Sequence, residues 1–399
     1  MVQVRRRPRA LAASAWAGSL LVWLVVVAYA ARPTYVDARV YRAEGAALLG
    51  GHDLYGPLVG VHGLATYPPF AALVFVPAAL LPTSLVEAGA VVANLLLLLL
   101  VCWQSVRLVR GRGPWAAYVV PGLVLAAVAL WCEPVLTTLS YGQVNLLLLA
   151  LVLADANLPP DSRACGVGIG LAAAIKVTPA ILVVHLLLTG RRRAAATAAA
   201  TAVAASAAAA LVAPRPTWDF WTRYVLDVDR VGRLENSANQ SLRGWLVRAL
   251  HTRDTAPLDL VVAVAVVVLG LTCAAVAHRR LGATWGLLAA AMTGLLASPI
   301  SWTHHWVYCI PVVALLWEEA RAWVLPALAV FWSYAVWMVP HGDGVELHLT
   351  AAEVGRSGWY VVFAVGFLVL TAVRSRAAVS GWPDNECRAG RIVPEHAAS

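Results

Sequence analysis

The chain has 399 residues, of which 61% are hydrophobic and 13% are charged, and its formal net charge is +9. Soluble globular proteins carry about 25% charged residues, so this composition excludes an ordinary soluble domain and predicts a polytopic membrane protein. The positive charge comes from 29 arginines and one lysine, mostly in short clusters between apolar segments, which indicates membrane topology and not a nucleic-acid partner.

The apolar segments predict a series of membrane helices. A basic stretch at residues 5–9 precedes the first long apolar run, and no signal-cleavage site clearly follows it, so we expect a retained first helix. Several later segments have only 12–14 residues, fewer than the roughly 20 of a full crossing. The predicted spans lie near residues 10–31, 85–106, 115–133, 144–155, 164–176, 178–190, 194–213, 257–277, 283–297, 306–318, 322–338 and 357–373.

The segment at residues 66–82 is the exception among the apolar stretches. It contains four prolines, which suit a re-entrant or juxtamembrane segment better than a clean span. Without it, the chain has twelve predicted spans with both ends inside, and most short basic clusters fall on the inner face. We therefore predict one all-α transmembrane domain over residues 1–376, with extracytoplasmic loops at 32–66 and 214–256 and a disordered cytoplasmic tail at 377–399.

This topology places six separated polar clusters on the outer face. In the first of them, Asp37 follows the first span closely, beside Tyr41, and a carboxylate at that position is suited to act as a general base. An ordinary solvated loop aspartate is the alternative. Asp53 and Glu44 are weaker candidates for the same role.

Lys176 is the only lysine and lies between two short apolar segments. A cation at membrane depth is costly and predicts a functional partner, for which a phosphate is suited. The other clusters carry amides, a phenol and a guanidinium, groups that suit the recognition of sugar hydroxyls and phosphate. These residues are Tyr67, Gln143, Asn145, Asn239, Gln240 and Arg243.

Two adjacent histidines, His304 and His305, lie between Trp302 and Trp306 at a predicted outer helix start. Core packing, metal ligation and phosphate or acceptor binding are the three possible roles. Free backbone N–H groups at a helix start favour an anion, and the two tryptophans offer interfacial anchors and a face on which a sugar can stack. We expect one histidine, with His305 preferred, to contact substrate.

The sequence predicts no metal or cofactor. The six cysteines have no CxxC spacing, and the pair Asp227 and Asp229 is more typical of a solvated loop than of a metal site. The GVGIG stretch at residues 166–170 lies inside an apolar segment with no preceding strand, so close helix packing accounts for it better than nucleotide binding.

Six motifs occur in an order that resembles glycosyltransferase family 87, the membrane mannosyltransferases of actinobacteria. The resemblance covers about residues 35–310. Its motifs are DARVYRAEGAALLGGHDLY (37–55), TYPPFAAL (66–73), YGQVNLLLLALVLAD (141–155), GVGIGLAAAIKVTPAI (166–181), NQSLRG (239–244) and SPISWTHHW (298–306).

The resemblance implies a GT-C membrane fold, a polyprenyl-phosphate-mannose donor without a metal, and chemistry at the extracytoplasmic side of the plasma membrane. It implies that Asp37 is the catalytic base. It does not specify the acceptor, which we expect to be a mannosylated lipid or glycan such as a phosphatidylinositol mannoside or lipomannan. An α-1,2 linkage formed with inversion is the expected product. Another polyprenyl-phosphate sugar, such as arabinose or glucose, and a lipid-linked sugar transporter or flippase are the alternatives.

Overall fold

The computed structural model describes residues 6–29, 33–61 and 63–380, and every regular element within these ranges is helical. The only pairing of extended backbone among them is an isolated antiparallel bridge between Asn239 and Trp302. The all-α prediction is therefore confirmed for the described residues.

Nineteen α-helices, several of them joined through short 3-10 turns, follow one another along the described chain. They are α1 Arg6–Tyr29, α2 Val36–Leu49, α3 Pro69–Ala79, α4 Thr83–Arg110, α5 Val119–Ala129, α6 Glu133–Tyr141, α7 Asn145–Ala156, α8 Val167–Ile175, α9 Ile181–Leu188, α10 Arg192–Val212, α11 Pro214–Thr222, α12 Val228–Val231, α13 Leu242–Leu250, α14 Leu258–Arg280, α15 Ala283–Ala297, α16 Cys309–Glu319, α17 Val324–Trp332, α18 Ala351–Ser357 and α19 Trp359–Ser380.

Four helices in the described part are long and apolar enough to cross a membrane, namely α4, α10, α14 and α19. The pair α5 and α6, bent by 81°, makes a fifth if it counts as one broken span. Among the remaining apolar helices, α3, α7, α9 and α15 are shorter than a crossing requires. The chain is thus a helical membrane protein, while the prediction of twelve spans is not reproduced by helix length.

The segment predicted to be re-entrant forms the short helix α3, which has 11 residues. At 1.5 Å per residue this helix is about 16 Å long, roughly half the thickness of a hydrocarbon core. It packs along α2, where Gly45 lies so close to the Phe75 carbonyl that a Cβ would come within 2.6 Å of the oxygen. The length of α3 agrees with a segment that does not span.

The GVGIG stretch packs helices together. The backbone of α8 approaches α10 so closely that a Cβ on Gly170 would lie 2.4 Å from the Ala198 carbonyl oxygen, and Gly168 meets α7 in the same way. At the start of α8, the buried carboxylate of Asp155 accepts hydrogen bonds from the backbone N–H groups of Gly166 and Ile169, where the helix dipole favours a negative charge. The packing interpretation of this stretch agrees with these contacts.

The loop between α10 and α14 docks onto the extended residues 298–303. Gln240 N–H donates to the Ser301 carbonyl at 2.8 Å, and Thr303 N–H donates to the Ala238 carbonyl at 2.9 Å. The fully buried guanidinium of Arg248 donates to the carbonyls of Asn236 and Asn239 and holds the loop from behind. These bonds fix the chain immediately before the two histidines.

Helix α19 continues to Ser380, so the first four residues of the predicted tail are helical. The rest of that tail, residues 381–399, lies outside the described residues. So do residues 30 and 31 of the predicted first span and residues 32 and 62 of the predicted loop 32–66.

We expect Gly170→Ala to lower the midpoint of thermal unfolding in detergent, because the new methyl group overpacks the α8–α10 contact, at a cost of about 1–3 kcal/mol. The matched control is Gly89→Ala in α4, where a Cβ meets nothing within 4 Å. There the change should be neutral or stabilising by about 0.5–1 kcal/mol. Equal midpoints for the two variants would contradict the packing role of Gly170.

Candidate active site

Helix α2 begins directly beside the turn between α6 and α7. Tyr35 adopts a left-handed conformation with φ of 49°, and its N–H donates to the Ser140 carbonyl at 2.9 Å. The helix then carries Asp37, Tyr41 and Glu44 at positions i, i+4 and i+7, which lie on one face. This face points towards the residues that the sequence analysis selected in other segments.

The side-chain oxygen of Gln143 gathers three hydrogen-bond donors. Tyr41 O–H donates to Gln143 Oε1 at 2.7 Å, Tyr67 O–H at 3.3 Å and Asn145 Nδ2 at 3.4 Å. With its oxygen occupied in this way, the amide nitrogen of Gln143 serves the carboxylate of Asp37 as a hydrogen-bond donor. Gln143 therefore connects α2, the loop before α3 and the start of α7.

Lys176 follows the last residue of α8, and its side chain is 7% exposed. The ammonium Nζ lies 3.2 Å from Asn145 Oδ1, 2.8 Å from His305 Nε2 and 5.1 Å from the centre of the Tyr67 ring. Because an ammonium has only donors, His305 Nε2 acts as the acceptor in this contact. None of these partners carries a full negative charge, so the cation keeps its capacity to bind an anion.

The two histidines share a 3-10 helix, Thr303–Tyr308, that precedes α16. Their rings lie edge to face with centres 4.8 Å apart, and His304 also contacts the Tyr141 ring. His304 Nε2 is buried and has no hydrogen-bond partner among the residues that the structure describes. Trp306 is fully buried against Tyr360, so the prediction that it anchors at the membrane interface is wrong.

A cavity of about 340 Å³ opens beside Lys176. Its polar end is formed by Lys176, His305 and Tyr67, and its other walls are mostly apolar. Apolar residues of these walls include Val177, Ile181, Phe220, Val225, Val228 and Ile300, and Asp227 also lines the cavity. A charged end with apolar walls suits an anionic head group that carries a hydrocarbon chain.

Asp37 is half-buried at the start of α2. Burial raises the pKa of its carboxyl group to about 6, although the hydrogen bond from Gln143 and the positive charge of Lys176 both lower it. A carboxylate with this pKa is ionised at neutral pH and is more basic than an exposed aspartate. It is therefore suited to accept a proton from a hydroxyl group.

Four of the predicted binding residues lie outside this group. Asn239 Oδ1 accepts from Ser301 N–H at 3.0 Å, and the Gln240 side chain donates to two backbone carbonyls. Arg243 forms an ion pair of 2.6 Å with Asp259, beside a different cavity. The fourth, Trp302, packs its ring against Gly232. The structure engages these four side chains in contacts within the protein, and their contact with substrate stays a prediction.

Among the described residues, no group of three or more histidine, cysteine, aspartate or glutamate side chains is arranged to hold a metal ion. Asp227, of the pair considered above, instead caps α12 by accepting from Arg230 N–H at 3.3 Å.

The sequence analysis missed part of the cavity wall, namely Phe220, Val225 and Val228 in the loop between α10 and α14. The apolar and aromatic residues of this loop could have indicated a cavity wall. The interpretation of the loop instead followed its seven arginines.

Comparison with known proteins identifies the family. The sequence profile of glycosyltransferase family 87 matches residues 65–299. The chain is 32% identical over 327 residues to a polyprenol-phosphate-mannose-dependent alpha-(1-2)-phosphatidylinositol mannoside mannosyltransferase of Mycobacterium tuberculosis, covering 74% of this chain and 75% of the relative.

Two further relatives are phosphatidylinositol pentamannoside mannosyltransferases, also named as polyprenol-phosphate-mannose-dependent and alpha-(1-2). The one from Mycobacterium tuberculosis is 32% identical over 96% of this chain and 88% of its own length, and the one from Mycolicibacterium smegmatis is 32% identical over 91% and 87%. No solved structure matches the chain. The match over more than half of the chain and the similarity to these relatives show that this protein is a glycosyltransferase that belongs to glycosyltransferase family 87.

Proposed function

We propose that the protein is an inverting mannosyltransferase of the plasma membrane that uses polyprenyl-phosphate-mannose at the extracytoplasmic face. The acceptor is a mannosylated lipid or glycan of the phosphatidylinositol mannoside or lipomannan class, and the product linkage is α-1,2. The observation that carries this proposal is the contact of Lys176 with His305 at the polar end of a largely apolar cavity, with Asp37 near enough for the charge of Lys176 to lower its pKa. The names of the mycobacterial relatives support the mannose donor and the acceptor class.

The mannose donor has a phosphate, a sugar and a hydrocarbon chain, and the cavity offers a suitable place for each. Its phosphate binds at Lys176 and His305, its hydrocarbon chain follows the apolar walls, and its sugar lies towards Asp37. A charge that develops on the leaving phosphate is stabilised by hydrogen-bond donors that are already oriented. The buried and unpartnered Nε2 of His304 is a further group available to a substrate.

Asp37 acts as the base in the transfer step. It removes the proton from a hydroxyl group of the acceptor, whose oxygen forms a bond with the anomeric carbon of the donor mannose. The bond between that carbon and the phosphate oxygen breaks, and its electron pair leaves with polyprenyl phosphate. Attack from the face opposite the phosphate converts a β-linked donor into an α-linked product. The leaving group is a phosphate monoester, and the proposed reaction uses no metal.

The reaction itself tests this proposal. Purified protein should transfer mannose from polyprenyl-phosphate-mannose to phosphatidylinositol mannosides, with the product linkage mapped, and the rate should persist in EDTA. Transfer from GDP-mannose without the lipid carrier, or a complete loss in EDTA that added metal restores, would contradict the proposal. Parallel assays with polyprenyl-phosphate arabinose and glucose distinguish another sugar donor, and movement of a lipid-linked sugar across vesicles without transfer identifies a transporter.

We expect Asp37→Asn to lower kcat/KM by roughly 10²–10⁴-fold, the contribution typical of a general base, while donor binding persists.

For the unmodified protein, kcat/KM should fall about tenfold per pH unit below about 6, because the base works only when deprotonated and its pKa is raised to about 6. The pH profile of kcat/KM for Asp37→Asn should not show this fall at acidic pH. Asp53→Asn, at an exposed turn, is the control and should keep near-normal turnover. Normal activity of Asp37→Asn would remove Asp37 from this role.

We expect His305→Ala to lower kcat/KM at least tenfold, about 1.4 kcal/mol of transition-state stabilisation, because His305 orients the Lys176 ammonium. His305→Gln should recover part of the rate, since its amide oxygen can accept from Lys176. The control is His348→Ala at an exposed position. A lowered unfolding midpoint for His305→Ala with no rescue by His305→Gln would show that the histidine is structural.

A further inference from the structure

A second cavity lies at the far end of α4 from the candidate active site. The first turns of α4 are close to that site, because a Cβ on Gly142 would lie 3.3 Å from the Cβ of Ala90, and Arg39 of α2 pairs with Glu87. From Ala90 to Arg110, the last residue of α4, the helix rises about 30 Å, which is the thickness of a hydrocarbon core. The end of α4 therefore reaches the membrane face opposite to the candidate active site.

This second cavity has a volume of about 240 Å³ and is enclosed by four helices, α4, α5, α16 and α17. Its walls are mostly aliphatic except at one end, where Arg110 and Glu318 form an ion pair of 2.6 Å. Because charged groups remain near water and apolar walls exclude it, the cavity is suited to a hydrocarbon chain whose head group stays at the charged end. The aliphatic wall includes Val109, Val124, Val313 and Leu328.

Exposed tryptophans around the charged end indicate its level in the membrane. Trp317 lines the cavity, Trp115 follows α4 closely, and Trp323 lies in the turn between α16 and α17. Tryptophan side chains collect where hydrocarbon meets water. The charged end therefore lies at the level of lipid head groups, and the aliphatic part lies at the level of acyl chains.

The two carboxylates at this end already have partners within the protein. Glu318 forms the ion pair with Arg110. Glu319 Oε2 accepts a hydrogen bond from the Trp285 N–H at 2.7 Å, so this side chain is held by the core of the bundle. Neither carboxylate is therefore available to cancel the charge of a further arginine.

Three more arginines lie around the charged end, and among the described residues none of them has a carboxylate within 4 Å. Arg107 and Arg321 lie over tryptophan rings, at 5.5 and 5.7 Å from the ring centres, and Arg112 is exposed. A neutral ring leaves the positive charge of an arginine uncancelled, so this end attracts an anion. Membrane topology alone accounts for the arginines, but it does not account for the apolar cavity beneath them.

We propose that this cavity binds an anionic phospholipid of the membrane leaflet opposite to the candidate active site. One acyl chain occupies the space between α4, α5, α16 and α17, and the phosphate lies at the arginines of the charged end. Basic pockets between membrane helices are typical sites for anionic head groups. Because α16 directly follows the 3-10 helix that carries the two histidines, the bound lipid stabilises the helix that supports them. The proposal is independent of mannosyl transfer.

The test uses the full-length protein, delipidated in detergent, to which phosphatidylglycerol or phosphatidylcholine is added. Native mass spectrometry measures the lipid bound, and the unfolding midpoint measures its effect. We expect phosphatidylglycerol to bind about tenfold more tightly, because several arginines face its head group, and this preference should shrink in about 1 M salt. Equal binding of the two lipids overturns the proposal and leaves the arginines with a role in topology alone.

A cavity-filling variant locates the acyl chain. Ala314→Phe places a ring in the cavity, so the tightly bound phosphatidylglycerol and its stabilisation should both be lost. The matched control is Val268→Phe, at an exposed position of α14, which should bind lipid as the unmodified protein does. Unchanged binding of phosphatidylglycerol by Ala314→Phe contradicts the proposal, because the lipid then lies elsewhere.

A charge variant tests the head group and also decides the matter should Ala314→Phe fail to fold. Replacing both Arg112 and Arg321 by glutamine should remove most of the preference for phosphatidylglycerol. The control replaces Arg215 and Arg223, two exposed arginines at the opposite membrane face, and should keep the preference. An equal loss in both double variants would show a general effect of net charge and would sink the idea of a site.

Discussion

The ammonium of Lys176 must be satisfied in a place that water barely reaches, and the site is arranged around this requirement. Its contacts are an amide oxygen, an imidazole nitrogen and the face of a phenol ring, supplied by Asn145, His305 and Tyr67. Neutral partners of this kind stabilise a cation without cancelling its charge. A carboxylate in direct contact would stabilise Lys176 more and would weaken its attraction for a phosphate.

The other parts of the fold bring these partners to one place. The short helices end at the site instead of continuing past it, so that Gln143 and Asn145 stand at the start of α7 and Lys176 directly follows α8. Asp37 arrives from the first turn of α2, and the histidines from the 3-10 helix before α16. Segments that are more than 250 residues apart in the chain therefore share one polar centre within an apolar protein.

Sequence alone predicted the centre of this site better than its surroundings. Polar residues such as Asp37, Gln143 and Lys176 cost free energy in an apolar context. They are therefore rare there and indicate candidate functional positions in a sequence. Asn239 and Gln240 carry the same signal, yet the structure uses their amides to satisfy backbone groups of the docked loop. Composition does not show whether an amide will bind backbone or ligand, because both uses require the same chemical groups.

For the membrane helices, too, the sequence predicted some features and not others. Hydropathy predicted the helical membrane protein and the long helices α4, α10, α14 and α19. It did not predict the 81° bend between α5 and α6, because hydropathy averages over a window and does not register where a helix ends. Trp306 was misread for a related reason, since a tryptophan at an interface and one in a core look alike in sequence.

The glycine contact between α8 and α10 has a consequence for how the cavity beside Lys176 can change its shape. Because the two backbones are in direct contact, no layer of side chains between them can rearrange, and we expect α8 and Lys176 to move with α10 as one rigid unit. The opposite wall of the cavity is built from α11, α12 and the turn between them, which are short and carry Phe220, Val225 and Val228. A wall of that kind shifts at lower cost. We therefore expect the cavity to widen by displacement of this wall, while the end formed by Lys176 and His305 keeps its geometry.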